Sequence, residues 1–155
     1  MKVLVTGASG YIGGQTAIQL RDQDHEVYGL DIRPLPEHLV KLELFVEFAQ
    51  DNFASNDALT WIANHNFDAI IHCAGTSLVG PSIANPQVYY ANNFVRTQRL
   101  VDHLLVAKWK GRFIFSSSTF GFLLVNYLIS AHNSKKMNLG TAKLYLSMWA
   151  FFVIY

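Results

Sequence analysis

The stretch TGASGYIG, Thr6 to Gly13, places glycines at positions 7, 10 and 13. It lies between an apolar run, Lys2 to Val5, and a helical stretch, Gln15 to Arg21. In that context the glycines have a chemical use. The turn needs glycine dihedrals, the backbone must approach a pyrophosphate closely, and Gly13 lets the following helix pack on a sheet. The amides of Tyr11 and Ile12 would face the phosphates, with the helix dipole adding favourable potential. Asp31 closes a second apolar run, Val27 to Leu30, at the position where an acid accepts hydrogen bonds from both adenosine ribose hydroxyls. Its charge repels a 2′-phosphate, so the pattern favours NAD over NADP. Arg33, two residues on, carries a flexible guanidinium with the reach to meet a phosphate.

Other side chains offer less. FIFSSS, Phe113 to Ser118, reads as a buried strand emptying its end into a polar site. Cys73 is the sole cysteine, which fits a reducing compartment and, by default, the cytoplasm; at a strand end it reads as a small buried hydrophobe. His72 beside it reads as structural. Asp22, Asp24, His25 and Glu26 crowd one loop without metal-ligand spacing on a common face.

The elements that would position these groups alternate. Strands are expected at Lys2 to Val5, Val27 to Leu30, Leu42 to Phe48, Phe67 to Cys73 and Phe113 to Phe115, with helices at Gln15 to Arg21 and Asn56 to Asn64. Pro34 and Pro36 break the chain after the second strand. Asn85-Pro86 reads as a capped start of one long amphipathic helix that Gly111 closes. Such alternation implies an α/β fold, a doubly wound parallel sheet with helices on both faces. The 155 residues, 51% hydrophobic, suffice for one core, and a net charge of +1 gives no footprint for nucleic acid or anionic lipid.

MKVLVTGASGYIGGQTAIQL, YGLDIR, DAIIHCAG, NPQVYYANN and FIFSSS, in this order and spacing, resemble the extended short-chain dehydrogenase/reductases, in their NAD-dependent epimerase/dehydratase branch. The resemblance covers residues 1 to about 121. It implies NAD as cofactor and a nucleotide-sugar substrate in the full-length family. It implies Gly7, Gly10, Tyr11 and Ile12 at the pyrophosphate, with Gly13 completing the cofactor-binding glycine motif, Asp31 at the adenosine ribose, and Asp51 and Asn52 near the adenine. Cys73, Ala74 and Gly75 would pass along the dinucleotide, and Asn93 would contact the cofactor side from the long helix. Ser118 corresponds to the serine that orients the sugar, and Ser77 stands where relatives often carry a lysine.

In that family a Y-x-x-x-K helix transfers the proton, the lysine helping the tyrosine to ionise near neutral pH. No tyrosine here has lysine four residues on: Tyr127 is followed there by Ala131 and Tyr145 by Trp149. Residues 122 to 155 also carry no acid and only Lys135, Lys136 and Lys143, whereas all eleven acids lie earlier. The expected division is therefore a partial dinucleotide-binding domain, 1 to 121, and a hydrophobic tail, 122 to 155, unlike the family and too short an apolar run to span a membrane. Three readings stay open. One is a truncated epimerase/dehydratase product, the second a non-catalytic NAD-binding module or partner subunit, with self-association through the long helix or tail. The third, an intact enzyme that uses another acid/base, ranks behind the other two.

Overall fold

A computed structural model describes residues 1–116. Five strands, β1 (Lys2–Thr6), β2 (Glu26–Asp31), β3 (Glu47–Gln50), β4 (Ala69–His72) and β5 (Arg112–Phe115), form one sheet in the order β3-β2-β1-β4-β5. Every pairing is parallel, with Val3 of β1 set between Val27 of β2 and Ala69 of β4. The chain winds one way from β1 through β2 to β3, then returns past β1 to β4 and β5. That reversal puts a switch point at the end of β1.

Side-chain alternation along the strands feeds two cores. On one face Leu4, Leu30, Ile70 and Phe113 pack against Ala58, Leu59 and Ile62 of α3 (Asn56–His65) and Leu100, Val101 and Leu104 of α6 (Arg96–Val106). On the other, Val5 and Val27 pack against Ala17 of α1 (Tyr11–Asp22) and Leu39 of α2 (Glu37–Val40). The sheet is thus wound on both faces, as the alternation of elements requires.

Several boundaries differ from the sequence reading, each for a local reason. Helix α1 begins at Tyr11, because the glycine turn itself opens the helix. Leu42 to Val46 is not a strand: Glu43 takes a left-handed φ of 47°, and Leu44 drops into the core from a turn. The proline-broken stretch still holds α2, whose extended N-cap is Pro36. Gly111 does not close the long helix, which ends at Val106. A methyl group at Gly111 would lie 2.2 Å from the Trp109 ring, so glycine is there to admit that ring, whose indole N–H donates to the Phe67 carbonyl at 2.7 Å.

The long helix is a composite. A short α4 (Val79–Ala84) precedes α5 (Pro86–Tyr90), a π-helical turn (Ala91–Val95) and α6. Pro86 does occupy the first turn of α5, but the Asn85 side chain makes no capping bond; its backbone carbonyl accepts from the Val88 amide instead. Among the described residues no helix is long and apolar enough to cross a membrane.

His72 ties three elements together. Its Nδ1 lies 2.7 Å from the Thr6 hydroxyl of β1 and its Nε2 lies 3.1 Å from the Thr97 hydroxyl of α6. Phe53 meets the ring edge-on, and Phe113 and Phe115 stack beside it. Burial pushes its pKa from 6.5 down to about 3, so the folded chain holds the imidazole neutral. The unfolded chain takes up that proton near 6.5, and stability conferred by neutral His72 is complete above this value and falls as the pH drops toward 3. Between pH 6.5 and 5, urea unfolding should show wild type losing roughly 1 kcal/mol per pH unit more than His72→Gln. Parallel profiles for the two proteins would refute a buried neutral imidazole. At the centre of the same core, Leu100→Ala should cost about 2–5 kcal/mol in unfolding free energy at pH 7.5; a loss under about 1 kcal/mol would contradict the packing.

Candidate functional site

In an open parallel sheet the usable crevice lies beyond the carboxyl ends of the strands, at the switch point. Here β1 leaves the sheet at Gly7, whose φ is +72°. Its N–H donates to the Leu30 carbonyl at 2.8 Å, fastening the turn to β2. A methyl on Gly7 would stand 2.7 Å from the Ala74 backbone nitrogen, and one on Gly13 would stand 2.1 Å from the Gly7 oxygen. Only glycine allows the turn to lie against β4 on one side and α1 on the other. The Gly10 amide closes the turn onto the Gly7 carbonyl at 3.0 Å.

Gly10 then serves as N-cap of α1 without a side chain, and the first helical turn holds no acid. The amides of Tyr11, Ile12 and Gly13 have no acceptor within the helix by its geometry, and no side chain caps them. Tyr11 is 82% exposed, leaving the turn open to solvent. A cluster of free N–H groups at a helix start attracts an anion.

Asp31 lies across this turn at the end of β2. It is 6% exposed, and its carboxylate accepts from the Ser9 amide at 3.0 Å and the Arg33 amide at 2.9 Å. The Arg33 Nε lies 3.5 Å away, and the Ser9 hydroxyl donates to the Arg33 carbonyl. Two amides and a guanidinium sustain the buried charge. Each carboxylate oxygen still has acceptor capacity, since an ionised carboxylate offers about four lone-pair sites.

The neighbouring candidates turn out to have partners of their own. The Asp51 amide donates to the Asp31 carbonyl, which puts the Asp51-Asn52 pair beside Asp31. Yet the Asp51 carboxylate accepts from the Asn52 backbone amide and the Ser55 hydroxyl, and the Asn52 side-chain Oδ1 accepts from the Ala54 amide. Ser55 in turn caps α3 through the Ala58 amide. Their side chains build the start of α3.

On the other side of Gly7, the backbone of Cys73 and Ala74 runs along the crevice floor. The Cys73 thiol points to the α1 face; burial pushes its pKa from 9.0 up to about 11, against smaller opposing effects of hydrogen bonds with Thr16 and Ser116. It stays a protonated thiol at neutral pH. Asn93, 2% exposed, accepts the Thr76 amide at 2.7 Å and donates to the Thr76 carbonyl at 2.8 Å. A methyl at Gly75 would lie 3.2 Å from the same Asn93 oxygen. Asn93 therefore holds the loop after β4 in place, and Asn92 adds a bond to the Thr76 hydroxyl.

The structure thus brings Gly7, Gly10, Tyr11, Ile12, Gly13, Asp31, Cys73, Ala74 and Gly75 to one crevice. Asp51, Asn52 and Asn93 border it with their side chains otherwise engaged. Ser118 lies outside the described residues, as do residues 122 to 155. Sequence reasoning missed Ser9 and Thr76, each of which uses its backbone amide and its hydroxyl and leaves no pattern. The adjacent asparagines at 92 and 93, uncommon inside a helix, were the available sign of a helix bent to a local task.

Residues 3–123 match the NAD dependent epimerase/dehydratase family. The chain is 42% identical over 127 residues to a UDP-glucose 4-epimerase of Klebsiella pneumoniae, covering 76% of this chain and 89% of that one. It is 35% identical over 126 residues to the UDP-glucose 4-epimerase of Yersinia enterocolitica, again over 76% of this chain, but spans 37% of that protein's length. In three dimensions it is similar to the UDP-glucose 4-epimerase of Brucella ovis, solved in complex with NAD, with a TM-score of 0.65 at 30% identity over 74% of this chain and 35% of the other. A glycine turn wedged between β4 and α1, a buried acid at the end of β2 and these likenesses agree, and the chain belongs to the NAD dependent epimerase/dehydratase family.

Proposed function

We propose that this chain binds NAD in the crevice at the end of β1 and serves as the cofactor-binding part of a UDP-glucose 4-epimerase-like enzyme. The observation that carries the reading is the open first turn of α1, with three free amides facing the same crevice as the buried Asp31 carboxylate. The Gly10 to Gly13 turn would hold the pyrophosphate, Asp31 the adenosine ribose hydroxyls, and the Asp51-Asn52 turn would border the adenine. The backbone from Cys73 to Gly75, fixed by Asn93, would line the path toward the reacting ring.

Bound nicotinamide supplies the hydride acceptor and donor for oxidation and re-reduction at a sugar carbon. Ser118, three residues past the end of β5, would orient the hydroxyl of a UDP-sugar. Within residues 1–155 no tyrosine and lysine share the Y-x-x-x-K spacing, so these residues lack the family's proton-transfer pair. That observation favours a second reading, a non-catalytic NAD-binding module or partner subunit with residues 1 to 121 as the binding domain and 122 to 155 as a docking tail. The exposed Val88, Tyr90 and Val95 support self-association through the long helix. The free Cys73 fits a cytoplasmic setting.

Calorimetric titration of the full chain with NAD tests both readings. Saturable 1:1 binding is expected, and Gly7→Val should abolish it, because a branched side chain cannot enter the contact with Ala74. Since Gly7→Val also strains the fold, Asp31→Asn serves as the milder variant and should weaken binding roughly tenfold. No heat at millimolar NAD for a folded wild type would sink the proposal. An assay with UDP-glucose and NAD should show no epimerisation by the chain alone; turnover would remove the second reading.

A further inference from the structure

At the end of the sheet opposite the crevice, charge is sorted by strand. β2 opens on Glu26 and β3 on Glu47, while Asp22 ends α1 and Asp24 lies in the turn from α1 to β2. β5 opens on Arg112, and Lys108 and Lys110 lie in the turn that reaches it from α6. Backbone bonds fasten the row between them. The Glu26 amide donates to the Met1 carbonyl, the Asp68 amide to the Lys2 carbonyl and the Arg112 amide to the Asp68 carbonyl, each at 2.9 Å. One half of this end is therefore acidic and the other basic.

Asp22, Glu26, Lys110 and Arg112 are exposed, and among the described residues none of them enters an ion pair. Arg21, beside the acidic half, is engaged by the Glu43 and Leu44 carbonyls. β2 and β5 are three places apart in the sheet, roughly 14 Å. That exceeds the screening length of about 8 Å in physiological salt, so the halves do not neutralise each other.

The strand order makes this arrangement self-complementary. In the order β3-β2-β1-β4-β5, the midpoint of β2 and β5 is also the midpoint of β1 and β4. A two-fold axis normal to the sheet at that point sets Glu26 of one protomer against Arg112 of its partner, and Lys2 against Asp68. Asp24 and Lys110, each two residues earlier, carry the same opposition outward. An axis lying along the sheet would instead set Glu26 on Glu26, so charge selects the orientation as well as the face. Three layers about 10 Å deep and strands about 4.8 Å apart give this end roughly 700 Å², near the lower bound for one side of a specific interface. Val46 and Val106, exposed at the same end, add apolar area.

We propose that two copies of this chain associate end to end through the faces where their strands begin, acidic half against basic half, as a two-fold dimer. The crevices, at the other ends of the strands, stay open in both copies. The proposal is independent of what the crevice binds, and the face is not that of the long helix.

Sedimentation of the full chain tests it. Wild type should form a dimer with a Kd in the micromolar range that weakens at least about tenfold between about 0.05 and 0.5 M salt. Asp22→Lys with Glu26→Lys turns the acidic half basic, and Lys110→Glu with Arg112→Glu turns the basic half acidic. Each double variant alone should be monomeric with an unchanged thermal unfolding midpoint, since the side chains are exposed and unpaired. An equimolar mixture of the two should restore a dimer, which two misfolded proteins would not do. Wild type that stays monomeric at about 100 µM overturns the proposal, as does a mixture of the folded variants that stays monomeric. A dimer that survives both high salt and the charge reversals also overturns it, and belongs to the apolar face of the long helix.

Discussion

The contact between Gly7 and the backbone of Ala74 decides where everything else in the crevice sits. β1 is the central strand, and its exit has to turn toward β2 while passing over the end of β4. With no side chain at position 7 the two backbones touch, the Gly7 amide reaches the Leu30 carbonyl at 2.8 Å, and α1 starts directly above the sheet. A side chain there would separate the turn from β4. The α1 amides, the Asp31 carboxylate and the loop from Cys73 to Gly75 face one space because this contact holds them at one edge.

The polar groups around that edge are satisfied mainly by backbone. Asp31 takes two amides, Asn93 takes both the N–H and the carbonyl of Thr76, and Asp51 takes the amide of Asn52. His72 is the exception, bonded to two hydroxyls from different elements. Backbone partners fix a side chain in one orientation more firmly than long side chains do, since less rotamer freedom is lost in making the bond. The crevice is accordingly stiff along its floor, whereas its exposed arms, Tyr11 and Arg33, stand on the rim.

What could be read in the sequence followed from short-range rules. The glycine turn, the acid at the end of β2 and the apolar runs of β1, β2, β4 and β5 each express a local requirement: a dihedral, a charge, or burial on two faces. The doubly wound sheet followed from their alternation. The third strand was misplaced because Leu44 and Phe45 are apolar for the sake of a turn lying over the α1 face, a tertiary reason that mimics strand composition. Gly111 was misread for a related cause, since a glycine beside a helix end can admit a neighbouring ring as well as cap. Asn93 was placed at the site, but the engagement of its amide with Thr76 depends on a loop seventeen residues away in sequence, which no local pattern encodes.

The π-helical turn at Ala91–Val95 resolves a conflict between helical phase and a straight seam. Tyr89, Asn93, Thr97 and Val101 are all buried, at 5%, 2%, 0% and 0% exposure. They recur every four residues, whereas an α-helix repeats every 3.6, so each step overshoots by about 40° and the three together by about 120°. One widened turn takes back about one residue's rotation, roughly 100°. The four side chains thereby line up on a single face, and one helix delivers an amide to the loop after β4 and a hydroxyl to His72 one turn later. The helix gives up regularity over five residues, and in return the sheet's fourth strand and the loop beyond it are gripped by the same rigid edge.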